Sequence, residues 1–216
     1  YYGMAFISAP GEQAVHVFDE VDTDFDYLAT VSSPVVADGF GEVLDYGDGI
    51  LLVAAPADGR VFAWSIGSGY DDWNYRGELP LPANGLTSGF GASVACGNDR
   101  FYVGAPGSNA VHEYEYTAGS LVWVRTHTSP SAVPGAAYGQ AIDATGSSLE
   151  VGAPGIAAAF SYDDVEEDYS LRGDSHAISV STGGAQALQL DAGVDYANAV
   201  YWIFGSISGD GPTPFF

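Results

Sequence analysis

The sequence predicts an all-β fold: about four β-propeller blades of four antiparallel strands each, then a short C-terminal β segment. Three observations predict it. First, a corner of two small residues and a proline recurs as Ser8-Ala9-Pro10, Ala54-Ala55-Pro56, Gly104-Ala105-Pro106 and Gly152-Ala153-Pro154, at spacings of 46, 50 and 48 residues. Second, other positions keep step with it. Phe40-Gly41, Phe90-Gly91 and Tyr138-Gly139 precede the last three corners; Val15, Val61, Val111 and Ala159, then Phe18, Trp64, Tyr114 and Tyr162, follow all four. Third, the segments between these marks are short apolar runs separated by Gly, Asn and Asp turns, with no helical period. A four-strand unit recurring about every 48 residues has the size of a propeller blade.

The elements follow in order. The first repeat begins without a Phe-Gly pair and without an opening strand, which leaves a sheet edge to be paired or protected. Repeats two, three and four read as complete. The third shows it best, with runs Gly91–Ala95, Phe101–Val103, Val111–Tyr114 and Leu121–Val124 between the turns Gly97-Asn98-Asp99 and Ala118-Gly119. The repeat assigns residues 1–174 to blades. Small corner residues let the backbone bend closely past its neighbour, and proline ends strand pairing there. In residues 175–216, Ile178 and Val180 alternate with serines, Gly183-Gly184 signals a turn, and Ala187–Leu190 reads as the returning strand. Val200-Tyr201-Trp202-Ile203-Phe204 suits a strand buried on both faces. This tail is read either as a strand that closes the first blade or as a module that pairs with a neighbouring subunit. Both use main-chain pairing.

Phe-Gly followed by Gly-Ala-Pro at this spacing resembles the FG-GAP repeat, found in the propeller of integrin α-subunits and in many secreted bacterial proteins. The resemblance covers about residues 1–174. It implies an extracellular, non-catalytic adhesion or recognition scaffold, often loaded with calcium. The sequence departs from the family at the calcium loop. Asp45-Tyr46-Gly47-Asp48-Gly49, Gly97-Asn98-Asp99-Arg100 and Asp143-Ala144-Thr145-Gly146 do not supply the six to eight oxygens calcium takes. They resemble the shorter, metal-free variant.

Composition narrows the function. Twenty-eight acids stand against five basic residues, all Arg, for a net charge of −23. No cationic footprint for nucleic acid or for an anionic membrane can be assembled. With 47% hydrophobic and 13% aromatic residues the chain carries enough apolar surface to fold. No apolar run is long enough to span a bilayer, and the lone Cys96 forms no internal disulfide. A chain starting at Tyr1 reads as processed or as part of a longer one. A Lys-free acidic surface suits extracellular water rich in salt or calcium.

Several residues are candidate sites. The third-to-fourth-strand turns are acidic: Asp19–Asp26, Tyr70-Asp71-Asp72 and Asp163–Asp168. Alternate Asp22, Asp24 and Asp26 offer hard oxygens to calcium, while the plainer reading is a solvated acidic hairpin. Arg172-Gly173-Asp174, in a predicted loop, is the tripeptide integrins bind. His16 and His112 share one repeat position, filled by Phe62 and Phe160 elsewhere, and read as half-buried strand-face residues. Trp64 follows the aromatic register and reads as core; Trp73 and Trp123 are candidate sugar-stacking rings. No Gly-x-Ser-x-Gly elbow appears, and no carboxylate pair stands out by breaking the repeat. The sequence therefore reads as a non-enzymatic extracellular propeller with no certain cofactor, acting by self-assembly, filaments included, or by cell-surface adhesion. The alternatives are a monomeric carbohydrate- or protein-binding module and, more distantly, a glycoside-active enzyme.

Overall fold

The computed structural model describes residues 3–21, 24–131, 133–146, 148–162, 170–173 and 188–191. The chain divides into two compact units, residues 1–165 and 166–216; the repeat had carried the blades to residue 174.

The first unit is built from four antiparallel sheets in chain order. Blade 1 has three strands, β1 (Met4–Ala9), β2 (Ala14–Val21) and β3 (Asp24–Ser32). Blades 2 and 3 have four: β4 (Val43–Gly47), β5 (Ile50–Ala55), β6 (Arg60–Ile66) and β7 (Trp73–Glu78), then β8 (Ser93–Cys96), β9 (Arg100–Ala105), β10 (Ala110–Thr117) and β11 (Ser120–Thr128). Blade 4 has β12 (Ala141–Thr145), β13 (Ser148–Ala153) and β14 (Ala158–Tyr162). Each strand pairs with the next in sequence, so every blade is an up-and-down meander. The only helical elements among the described residues are three single-turn 3-10 pieces at the proline corners.

The missing opening strand of blade 1 is as the repeat predicts. In blade 4 no fourth strand pairs with β14 among the described residues, and residues 163–169 and 174–176 lie outside them. The next strand, β15 (Ser170–Gly173), belongs to the second unit and pairs antiparallel with β16 (Leu188–Asp191), Leu171 opposite Leu190. Leu188–Leu190 is thus a strand, as read, and its described partner is Ser170–Gly173. Residues 178–180 and the run 200–204 lie outside the described residues.

The repeated corner has a repeated geometry. In all four copies the residue three after proline takes a left-handed conformation and donates its N–H to the proline carbonyl at 3.1 Å: Gln13, Gly59, Asn109 and Ala157, with φ of 53°, 63°, 51° and 51°. That conformation costs an L-residue about 1–2 kcal/mol. Only blade 2 has glycine there. Ala157 is exposed and packs nothing, so Ala157→Gly should raise stability by about 1 kcal/mol. The check is the midpoint of a urea denaturation curve.

The Phe-Gly pair locks onto the corner of its own blade. Gly41, Gly91 and Gly139, at φ of 87–89°, donate to the carbonyls of Ala54, Gly104 and Gly152, each at 3.0 Å. The aromatic partner turns inward: Phe40, Phe90 and Tyr138 are at most 1% exposed. Each ring meets the residue six after the proline of its own blade, Phe62 at 5.7 Å, His112 at 5.8 Å and Phe160 at 5.5 Å between centroids.

Alternating strands present one face to the preceding blade and one to the following blade. Three core clusters fill the gaps between successive blades. Val15, Val17 and Phe6 of blade 1 meet Leu51, Val53, Phe62 and Trp64 of blade 2. Leu52, Ala54 and Val61 meet Val94, Phe101, Val103 and Tyr114. Tyr102 and Val111 meet Leu149, Val151 and Tyr138. Each fully buried aliphatic or aromatic side chain contributes about 1.5–3 kcal/mol, so these inter-blade clusters stabilise the unit.

Candidate functional site

Two places depart from this pattern, and both are consequences of the repeat. The first is the face of blade 1 that looks away from blade 2. Ile7 stands three residues before its proline; its counterparts Val53, Val103 and Val151 are at most 1% exposed because a preceding blade covers them. Ile7 is 54% exposed. Phe25 and Tyr27 on the same face are also exposed, and Phe18 and His16 are only half-buried. The rings lean on one another, Phe18 against Tyr27 edge-on at 5.8 Å, and His16 Nδ1 and the Tyr27 hydroxyl both reach Thr30 Oγ1, at 2.8 and 2.9 Å. Beside this face, β1 has a neighbour on one edge only, β2, among the described residues. An apolar face next to a free strand edge is a surface that water solvates badly.

The far face of blade 4 is different in kind. The positions that bury Val15, Val61 and Val111 against a following blade hold Ala159, and those of Leu52 and Tyr102 hold Glu150; both are exposed. Ser161 donates to Glu150 at 2.6 Å, and Asp143 points to solvent. In blade 2 the counterpart of Asp143 is Asp45, whose carboxylate accepts the Cys96 backbone N–H of the next blade at 2.7 Å. The aspartate of this metal-free turn therefore ties two inner strands together. Blade 4 ends in a polar, water-compatible face and blade 1 in an apolar one.

The second place is a buried charge cluster between blades 3 and 4. Glu113 is 0% exposed and occupies the position of Val17, Ala63 and Ser161. The Arg125 Nε–H donates to its Oε2 at 2.7 Å, His127 Nε2 lies 2.7 Å from the same oxygen, and Arg100 Nε lies 3.3 Å from Oε1. Arg100 also donates to Glu115 at 2.6 Å. Burial pushes the Glu113 carboxyl upward, but hydrogen bonds from His127 and Arg125, and the charges behind them, hold it below the ordinary glutamate value. The sequence reading looked for a carboxylate pair that breaks the repeat and did not single out Glu113, which breaks it alone. The signal was present, since Arg125 and His127 alternate along the neighbouring strand at the same height.

The other predicted residues fall as follows. Asp24 and Asp26 are exposed on β3, two apart on one strand, not gathered in a loop, and Asp22 lies outside the described residues. No group of three or more His, Cys, Asp or Glu side chains is placed to hold a metal among the described residues. Arg172 and Gly173 are not in a loop: they belong to β15, opposite Gln189 and Leu188. Backbone pairing extends the chain there, and Asp174 lies outside the described residues. His112 is fully buried rather than half-buried, bonding Thr126 Oγ1 and the Leu86 carbonyl, each at 2.8 Å. Burial lowers its pKa. His16 repeats the threonine bond without the cover. Trp64 is core, and Trp73 packs edge-on against Phe6 and Tyr46.

No family model and no curated protein matches the chain. Among solved structures it is similar to a streptogramin B lyase, at 13% identity and a TM-score of 0.50, over 86% of this chain and 50% of that one. It is also similar to a protein from Lactobacillus plantarum, at 12% identity and a TM-score of 0.48, over 88% and 54% of the two chains. A third is Hsv2 of Kluyveromyces lactis, at 9% identity and a TM-score of 0.42, over 87% and 69%. The likeness is one of fold, the β-propeller. The chain spans about half the length of the first two.

Proposed function

We propose that this chain is a non-enzymatic propeller scaffold of the FG-GAP type, working outside the cell by self-assembly. One observation carries the reading: blade 1 keeps Ile7 at the position that blades 2 to 4 seal against a neighbour with Val53, Val103 and Val151, and here Ile7 stands exposed beside the exposed rings of Phe25 and Tyr27. An apolar face of this kind marks an interaction surface. The FG-GAP type is supported by the lock between each Phe-Gly and its Pro corner, which gives the motif a physical reason to recur. The extracellular setting is supported by composition: 28 acids and no Lys leave a surface that tolerates salt and gives cations little to displace.

Analytical ultracentrifugation of the full chain, with electron microscopy of the same samples, tests the reading. Oligomers or filaments that grow with protein concentration are expected. Salt should favour them, because two chains of charge −23 repel until screened. A monomer at every concentration and salt, with saturable binding of a glycan or protein, would overturn self-assembly in favour of a binding module.

A further inference from the structure

Five asparagines occur in the chain, and Asn84 alone is followed by glycine. Asn84 is exposed, in the connection between β7 and β8. Its amide makes two bonds: Oδ1 accepts the Leu86 N–H at 3.1 Å, and Nδ2 donates to Thr126 Oγ1 at 2.8 Å. Thr126 in turn meets Nδ1 of the fully buried His112. Elimination assigns the protons. The Leu86 carbonyl can only accept, so His112 Nε2 carries the hydrogen and Nδ1 is bare. Thr126 therefore donates its one hydrogen to Nδ1 and accepts from Asn84. The line runs one way, from amide to hydroxyl to imidazole to carbonyl. Blade 1 repeats the pair as His16 and Thr30, but there the Tyr27 hydroxyl stands in the place of the amide.

We propose that Asn84-Gly85 is a self-modifying site: it deamidates through a succinimide, and the carboxylate left behind draws a proton onto His112 through Thr126. The turn is built for the first step. Gly85 has a φ of 74° and nothing within 4 Å of the place a Cβ would take, so its nitrogen meets no obstruction. Its N–H reaches the Pro82 carbonyl only at 3.4 Å, longer than an ordinary hydrogen bond. The Leu86 N–H points at Oδ1, the atom on which negative charge develops during attack. The Gly85 nitrogen bonds to Asn84 Cγ and loses its proton to water, and Nδ2 leaves as ammonia. Water then opens the ring at Cγ, giving aspartate, or at the Asn84 backbone carbonyl, giving isoaspartate. Thr126 now has one hydrogen and two acceptors, His112 Nδ1 and the new carboxylate. Both are served only when Nδ1 takes a proton and donates to Thr126, which donates to the carboxylate. In the unmodified chain burial lowers the His112 pKa, against the Leu86 bond, and His127 on the Thr126 strand lowers it further. The Phe90 ring packs on His112, and the connection 79–92 carries no charged residue. The new carboxylate is thus the one negative charge brought to this network. The inference is independent of self-assembly.

Two measurements on the full chain test it. The first ages the folded protein at mildly alkaline pH and maps its peptides by mass spectrometry, with an isoaspartate assay. Conversion at Asn84 is expected, at a rate no lower than in the same chain unfolded in urea, and Gly85→Ala should slow it. Slower conversion in the folded chain than in urea would overturn the site, because the turn would then protect the amide. The second follows the His112 imidazole by NMR titration. Asn84→Asp should make it bind a proton about 10-fold more tightly than in wild type, and adding Thr126→Val should remove most of that gain. A His112 titration unchanged by Asn84→Asp would overturn the coupling. A gain that survives Thr126→Val would overturn the route through the hydroxyl.

Discussion

Glu113→Gln is expected to destabilise the first unit by about 3 kcal/mol, at the low end of what breaking a buried ion pair costs. The carboxylate is fully buried, and Arg125, His127 and Arg100 converge on its two oxygens. Removing its charge leaves two guanidiniums and an imidazole facing one another across the gap between blades 3 and 4. The cost stays at the low end because the partners keep access to water, with side chains 13–25% exposed. The effect has a definite pH dependence. The Glu113 pKa is lower in the folded chain than in the unfolded one. Its stabilisation is therefore complete above the ordinary glutamate pKa and is lost as the pH falls through the lower, folded value. The wild type should lose this increment on acidification, and the variant should show a shallower decline over the same range. Melting curves from pH 7 down to pH 3 measure both. A variant as stable as wild type at pH 7 would show that the cluster is a tolerated burden.

Much of the fold was legible because it is repeated. Four corners and three Phe-Gly pairs fixed the blade length, the strand order and the residues that face inward, and these follow from local chain geometry. What single-copy features did was harder to read. Glu113 breaks an apolar position, but its meaning depends on Arg100, Arg125 and His127, which only strand pairing brings together. Asp45 was read only as part of a metal-free turn; its partner is a backbone N–H on the next blade, distant in sequence. The fourth strand of blade 4 was expected from spacing alone; residues 163–169 and 174–176 lie outside the described residues, and Ser170–Gly173 pairs with Leu188–Asp191. Backbone pairing is nearly indifferent to side chains, so the sequence carried little to choose between partners. The open face of blade 1 was legible only as a missing strand. Its apolar character became clear when Ile7 was compared with three buried valines at the same repeat position.

Gly139→Ala is expected to cost about 3 kcal/mol, and a companion variant separates its two causes. The residue sits at φ 89°, where any side chain adds about 1–3 kcal/mol of backbone strain. Space is the second cause. A Cβ at this position would stand 2.6 Å from the Ala110 carbonyl oxygen and 3.1 Å from Val111 Cγ2, both on the preceding blade. Neither atom can yield, since Ala110 is fixed in the ladder with β9 and Val111 is buried between the blades. Gly139 also links the elements on either side of that gap: its N–H bonds the Gly152 carbonyl and its own carbonyl accepts the Ser93 hydroxyl at 2.8 Å. Gly119 has nearly the same φ, 88°, and open space around it. Gly119→Ala should thus show the strain alone, about 1 kcal/mol, and the difference between the two variants measures how tightly blade 4 sits on blade 3. In a chain of this size the larger effect lowers the melting temperature by roughly 6–12 °C. Equal losses in the two variants would mean that the Phe-Gly glycine is required for its backbone angle only, and that the close approach of successive blades relaxes to admit a methyl group.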